Sequence, residues 1–373
     1  MEDDIRTRKL EHIDIVVNKD AVYRDACKEV YDSIKLIHQG FPGIDYSEVD
    51  PSIEFLGYRL QAPLMITGMT GGHPSTKSIN EKLARIASKF NIAIGVGSQR
   101  SMLIHKGNID VIDTYKIVRD IAQEVPVIGN IGINTLRDLN IKDIEYIIES
   151  IRADALAIHL NPSQELIQPE GDTRFSHKVL EKIEKIMDSI SVPIIIKEVG
   201  TGLSIETVQL FYRIGIRYFD VAGACGTNWI LVEMYRDGTP STKKEIAKHL
   251  GEWGIPTPIS VIETRNTAPN AFIIASGGVW SSDKAVKNLV LGADMVGFAR
   301  PLIEALIKHG YEYAEKYVKS FIESIKGIMF LLGARTVYEL HHKPIVVLDP
   351  VKSYISQRGI DLHLYLEVIR RKP

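Results

Sequence analysis

Short apolar runs, each ending in glycine or polar side chains, recur along the chain, separated by longer segments in which charged and apolar residues alternate at helical spacing. Eight runs follow in series: PLMITGMT from Pro63, IAIGVGSQR from Ile92, PVIGNIG from Pro126, ALAIHLN from Ala155, PIIIKEVG from Pro193, YFDVAGA from Tyr218, FIIASGG from Phe272 and MVGFARP from Met295. Runs that are apolar at successive positions suit strands covered on both faces, the condition of a parallel sheet. Between them, 78–90, 110–124, 141–151, 179–190 and 285–291 carry the spacing of amphipathic helices. Parallel strands need such crossovers, and eight units in series predict a (β/α)8 TIM barrel. A doubly wound open sheet shares the alternation, but it rarely needs eight successive units, and no G-x-G-x-x-G opens a helix after the first strand.

The chain has 373 residues, 45% of them hydrophobic, enough for one large core. A barrel takes about 250 residues. The expectation is therefore a single domain with its barrel core at about 60–310, an N-terminal extension over 1–59 and a helical C-terminal extension over 311–373. A long insertion after the sixth strand, 228–270, contains YRDGTPSTKKE and GEWGIPTP and is expected to be a mobile lid. The stretch 311–332 reads as an amphipathic helix with Tyr313, Tyr317, Phe321, Ile325 and Ile328 near one face, covering the barrel or an oligomer interface.

Charge changes the picture only by exclusion. A net charge of -2 without a long basic run predicts no nucleic-acid partner. The most apolar long window, 289–307, is broken by Asp294, Arg300 and Glu304, so no membrane span is expected. The opening MEDDIRTRKLEH is charged where a signal peptide needs an apolar core, and the two cysteines, Cys27 and Cys225, lie far apart. Together these predict a reducing, cytoplasmic setting, with Cys225 a small buried thiol.

In a barrel the chemistry sits where strands end. The fourth run breaks into His159, Asn161, Ser163, Gln164 and Glu165, a mixture of donors, acceptors and a hard oxygen ligand that suits a polar anion with a metal ion. Ser276, Gly277 and Gly278 after the seventh run and Gly297 to Arg300 after the eighth occupy the places where many barrels bind phosphate through backbone N–H groups. The first run ends in Thr67, Gly68, Met69, Thr70, Gly71 and Gly72, which let backbone approach a flat ring or a phosphate. Ser98, Gln99, Arg100, Asn130 and Lys197 face the same mouth. Blander readings stand beside these: glycines that only permit turns, His159 as an interior histidine and Glu165 as a helix-start carboxylate. Lys197 can equally be a Schiff-base lysine or half of an interior ion pair, and Arg8 and Lys9 a solvated tail.

Taken in order, RKxxH at Arg8, Lys9 and His12, MTGG from Met69, GSQR around Ser98, GNIG around Asn130, HLNxxQE from His159, the Lys197 strand, GTNW from Gly226, SGG from Ser276 and GFARP from Gly297 resemble the FMN-dependent type 2 isopentenyl diphosphate isomerases from Arg8 to about Pro301. The resemblance implies isomerisation of isopentenyl to dimethylallyl diphosphate in isoprenoid biosynthesis, by proton transfer with reduced FMN and Mg²⁺, and with NAD(P)H as reductant. It implies FMN against Thr67, Gly68, Met69, Thr70, Ser98, Asn130, Lys197 and Thr227, its phosphate on Gly277, Gly278, Ala299 and Arg300. Substrate diphosphate would meet Arg8, Lys9, Ser98, Gln99 and Arg100, with His159, Asn161 and Gln164 lining the site and Glu165 holding Mg²⁺. Gln164, His159 and Lys197 are the implied catalytic side chains, Gln164 as a positioning or relay group because an amide is a poor base. Members are generally homotetramers or homo-octamers, which is the expectation here.

One departure is Cys225, which stands where the family would have a second glycine before Gly226 and Thr227. Inosine monophosphate dehydrogenases use a cysteine after strand six as nucleophile, but that reading leaves HLNPSQE unexplained. An FMN-dependent hydroxy-acid oxidase needs a His base and an Arg clamp near strand seven, and ASGGVWSSDK supplies neither. A flavin-storing barrel without turnover would need a broken diphosphate site, whereas Arg8, Lys9, Gln164 and Glu165 are all present.

Overall fold

The computed structural model describes residues 2–370. The eight predicted runs form the eight strands of a closed parallel barrel: β1 (Leu64–Ile66), β2 (Ala93–Gly95), β3 (Val127–Gly132), β4 (Ala155–Leu160), β5 (Ile194–Glu198), β6 (Tyr218–Asp220), β7 (Phe272–Ala275) and β8 (Met295–Phe298). Each strand pairs with the next, and β8 closes on β1 with Val296 opposite Leu64 and Phe298 opposite Ile66. The Ile and Val residues that make these segments stiff and extended also fill the barrel wall, and Ile66, Ile94, Ile128, Ile158, Ile196 and Ile274 are all buried. Truncating one of them to alanine would cost about 2–5 kcal/mol, because so crowded a wall cannot collapse into the gap.

The outer ring includes α3 (Lys77–Phe90), α4 (Ile109–Ile121), α5 (Ile141–Ser150), α7 (Val179–Ser189), α8 (Ile205–Arg213), α11 (Thr257–Thr267) and α12 (Ser282–Val290). Their starts are written locally. Asn108, Asn140 and Ser204 accept hydrogen bonds from first-turn N–H groups at the heads of α4, α5 and α8. Asn91, in the left-handed conformation, ends α3 and turns the chain into β2.

Three expectations need correction. The segment after β6 is not one mobile lid: it holds α9 (Trp229–Tyr235), α10 (Ser241–His249) and α11, and α11 is the sixth barrel crossover, buried from Thr257 to Arg265. Its Gly and Pro residues mark the turns between these helices. Cys225 is not a free thiol, because α2 (Asp25–Asp32) brings Cys27 to it and the two form a disulfide. The approach is set by a β-bridge between Val22 and Thr227, which lays the N-terminal extension along the loop after β6. The C-terminal helix α14 (Tyr311–Leu331) packs through Ala314, Val318, Phe321, Ile325 and Met329, whereas Tyr313 is 53% exposed on another side.

The N-terminal helix α1 (Glu2–Asn18) packs beside α9 and α13 (Arg300–His309), burying Ile15 and Val16 with Val232. That docking carries Arg8, Lys9 and His12 to the C-terminal mouth of the barrel they precede by some fifty residues of chain. Among the described residues no helix is long and apolar enough to cross a membrane.

Candidate active site

At the C-terminal end of the barrel lies a cavity of about 400 Å³. It is lined by Thr67, Gly68 and Met69 after β1, Ser98 and Arg100 after β2, Asn130 on β3, His159, Asn161, Gln164 and Glu165 at and after β4, and Lys197 on β5. Thr227, Gly277, Gly278, Ala299 and Arg300 line the far side, and Arg8 and Lys9 reach it from α1. Two expected residues do not. The Gln99 side chain is fully buried, receiving the Asn130 N–H and donating to the Ile147 carbonyl, so it braces β3 against α5. Thr70 turns inward, its carbonyl accepting from Gly97 N–H and Asn80.

The polar row after β4 is organised by Asn161, whose amide donates to Glu165 Oε1 at 2.9 Å and to Gln164 Oε1 at 3.3 Å. Both residues sit on the one-turn helix α6 (Pro162–Ile167), started by Pro162. Glu165 Oε2 also accepts the Asp172 N–H at 2.7 Å. Among the described residues no group of three or more His, Cys, Asp or Glu could hold a metal ion.

His159 is held in a defined tautomer. Asn130 Nδ2 donates to the Val96 carbonyl, leaving Oδ1 to accept from His159 Nδ1 at 2.8 Å. Burial, reinforced by Lys197, Lys9 and Arg8, pushes the imidazole down to about 3. The ring is therefore neutral at working pH, with Nε2 left as an acceptor. Lys197 donates to the Glu198 carbonyl at 2.6 Å. Its neighbour Glu198 points to the other face of β5 and takes the Val199, Gly200 and Thr201 N–H groups on Oε2, fixing the turn that presents the lysine.

Several residues of the site escaped the motifs. Gln164 Nε2 donates to Glu233 Oε1 at 2.7 Å. Glu233 lies on α9, fully buried, with Arg236 on Oε2 at 2.9 Å and His12 Nε2 2.9 Å from Oε1 but off the line for a hydrogen bond. Burial alone would raise this carboxyl, but His12, Arg236 and Gln164 outweigh it and hold it at about 2. Burial, with Arg8 and Lys9, lowers His12 against the opposite pull of Glu233. Arg236 and Arg8 share Glu170, at 3.1 and 3.0 Å. The available signal was the spacing of Trp229 and Glu233, four apart on one helical face, immediately after the Thr227 loop.

The far side of the mouth, after β7 and β8, is built of backbone. Gly277 and Gly278 have φ of +92° and +76°, and a Cβ on Gly278 would lie 1.8 Å from the Cys225 carbonyl oxygen. Helix α13 opens at Ala299 without a side-chain cap; Pro301 has no N–H and the Leu302 N–H is taken by the Ala299 carbonyl, which leaves the Arg300 N–H as the first-turn donor for an anion. The Arg300 guanidinium is engaged by the Ala21 and Lys19 carbonyls and Glu304, so it fastens the N-terminal extension.

A family model described as FMN-dependent dehydrogenase matches residues 149–347, slightly more than half of the chain. The isopentenyl-diphosphate delta-isomerase of Sulfurisphaera tokodaii is 40% identical across 99% of this chain and 98% of its own. That of Methanothrix thermoacetophila is 41% identical across 96% and 98%. The chain belongs to the isopentenyl-diphosphate delta-isomerase family. Solved structures share its fold at low identity: a Pediococcus acidilactici putative lactate oxidase at TM-score 0.65 and 13% identity over 93% of both chains, and a mandelate oxidase mutant with a monooxide FMN adduct at 0.63 and 14% over 90% of this chain and 95% of that one. At such identity they speak for the barrel alone. The isopentenyl-diphosphate delta-isomerase membership makes this an enzyme, and the match to the FMN-dependent family supports FMN as its cofactor.

Proposed function

We propose that the enzyme interconverts isopentenyl and dimethylallyl diphosphate by proton transfer, with reduced FMN and Mg²⁺, NAD(P)H serving only to reduce the flavin. The observation that carries this reading is the convergence on one cavity of three cations, Arg8, Lys9 and Arg100, with a neutral His159 and a Gln164–Glu233 hydrogen bond. The cations suit a diphosphate, since guanidinium groups pair with its oxygens bidentately. Ser98 lies beside them, and Glu165, oriented by Asn161, would hold Mg²⁺ together with substrate oxygens.

The reaction adds a proton at the terminal methylene and removes one from the second carbon, with no net redox change. Reduced FMN, when bound against Thr67, Gly68, Met69, Asn130, Lys197 and Thr227, supplies acid–base chemistry at its ring nitrogen and an electron-rich face toward a cation-like transition state. The Lys197 ammonium would balance negative charge on the reduced ring. Gln164 orients the substrate, its amide held in place by the ionised Glu233 carboxylate. His159, neutral and fixed by Asn130, lends an acceptor at Nε2 without adding charge beside the carbon chain.

Anaerobic incubation of the protein with isopentenyl diphosphate, FMN and Mg²⁺ tests this directly: dimethylallyl diphosphate should form after reduction with NADPH or dithionite and not in the oxidised mixture. Equal turnover in both mixtures, or none in either, would reject the flavin isomerase reading. We also infer assembly as a homotetramer or homo-octamer, which sedimentation would decide.

A further inference from the structure

Beneath the mouth, inside the barrel, lies a second and much smaller cavity of about 10 Å³, room for a single water. Lys197 belongs to both spaces, and Asp220 lines only the inner one. The two residues are register partners on adjacent strands, β5 and β6. Asp220 is 1% exposed; Ser276 Oγ donates to its Oδ1 at 2.5 Å and the Ala222 N–H lies near the carboxyl, yet Oδ2 has no hydrogen-bonding partner. A buried carboxylate oxygen without a partner costs about as much as several ordinary hydrogen bonds contribute, so its persistence needs a reason.

The lysine supplies one. Its ammonium has three donors, and the structure shows one of them used, on the Glu198 carbonyl. We propose that Asp220 is a positioning residue for Lys197: through one water in the inner cavity, Oδ2 holds the ammonium upright beneath the cofactor mouth. Ser276 in turn keeps the carboxylate rotated toward the cavity. The inference rests on the flavin reading of the mouth. It assigns Asp220 no contact with substrate or flavin; its effect passes through the lysine.

The midpoint potential of bound FMN separates this from a merely structural or directly electrostatic role, because the signs differ. Asp220→Asn keeps the shape but leaves the ammonium without a counter-charge, so Lys197 swings away and positive charge under the ring is lost. With FMN in excess, the variant should bind reduced relative to oxidised FMN about ten-fold more weakly, a fall of about 30 mV for a two-electron couple. Lys197→Met should shift the potential the same way, and adding Asp220→Asn to it should lower it no further. A rise in Asp220→Asn would mean that the carboxylate acts on the ring by itself, and no change would mean that it does not act; either overturns the proposal. Should Asp220→Asn fail to fold, a high-resolution crystal structure of the unsubstituted holoenzyme decides instead: a water bonded to both Oδ2 and Nζ is expected, and any other arrangement refutes it. Failure of the flavin reading shows separately, as protein that takes up no FMN, to which the crystal test still applies.

Discussion

Lys9 offers the most quantitative test of the diphosphate site. Burial first, then Arg8 and Arg100, push its ammonium down to about 7, with Glu233 pulling the other way. A diphosphate beside it reverses the balance, because oxygens carrying several negative charges favour the ammonium. Binding must then take up a proton wherever Lys9 is neutral in the free protein. With a free-state value of about 7, some three quarters of the lysines are neutral at about pH 7.5, so binding should take up about 0.75 proton per site. The sign follows: the group is raised in the complex, so affinity is fully present below pH 7 and falls above it, by at most about ten-fold or 1.4 kcal/mol per pH unit. Titration calorimetry of isopentenyl diphosphate with Mg²⁺ into the oxidised, non-turning protein, in buffers of different ionisation enthalpy, reads proton uptake directly. The ligand's own phosphate titration is common to all variants, so Lys9→Arg, always charged, is the reference. Equal uptake by both proteins would refute the argument.

Glu165→Gln should abolish Mg²⁺-dependent turnover while leaving FMN absorbance and affinity intact; full activity would reject the metal assignment. Glu233→Gln, which keeps the Gln164 and His12 contacts but removes the carboxylate, should lower kcat by about 10²-fold or more with little change in KM, and a purely raised KM would make Glu233 a binding residue instead. Gly278→Ala should lose FMN affinity by at least about ten-fold in a flavin titration, since its Cβ has no room beside the Cys225 carbonyl and φ is +76°. His159, held at about 3 against an ordinary value near 6.5, should make stability full above about pH 6.5 and cost about 3 kcal/mol as pH falls toward 3, discounted for solvent in the cavity. His159→Gln should flatten that limb of a urea-denaturation pH profile.

The local level of this protein is almost wholly legible in its sequence. Eight apolar runs specify eight strands, because an apolar stretch such as PIII or FIIA must be covered on both faces, and the helices between them follow from spacing and from caps such as Asn140 and Ser204. Most of the cavity was likewise readable, since strand ends in a closed parallel barrel share one mouth. Thr70 and Gln99 mark the limit of that rule: adjacent to Met69 and Ser98, they point the other way, and no one-dimensional pattern at a strand end says which neighbour turns in.

What the tertiary structure alone decided is everything brought from far along the chain. Glu233 meets Gln164 across 69 residues and His12 across a still longer interval, Cys225 meets Cys27 across 198, and the Arg300 guanidinium is tied to carbonyls 279 and 281 residues earlier. Periodicity reports which face of an element is buried, not what it is buried against. The polar contacts that set the charge of His12, Lys9 and Glu233 are made by particular partners, and those partners are chosen only when α1 and α9 dock over the closed barrel.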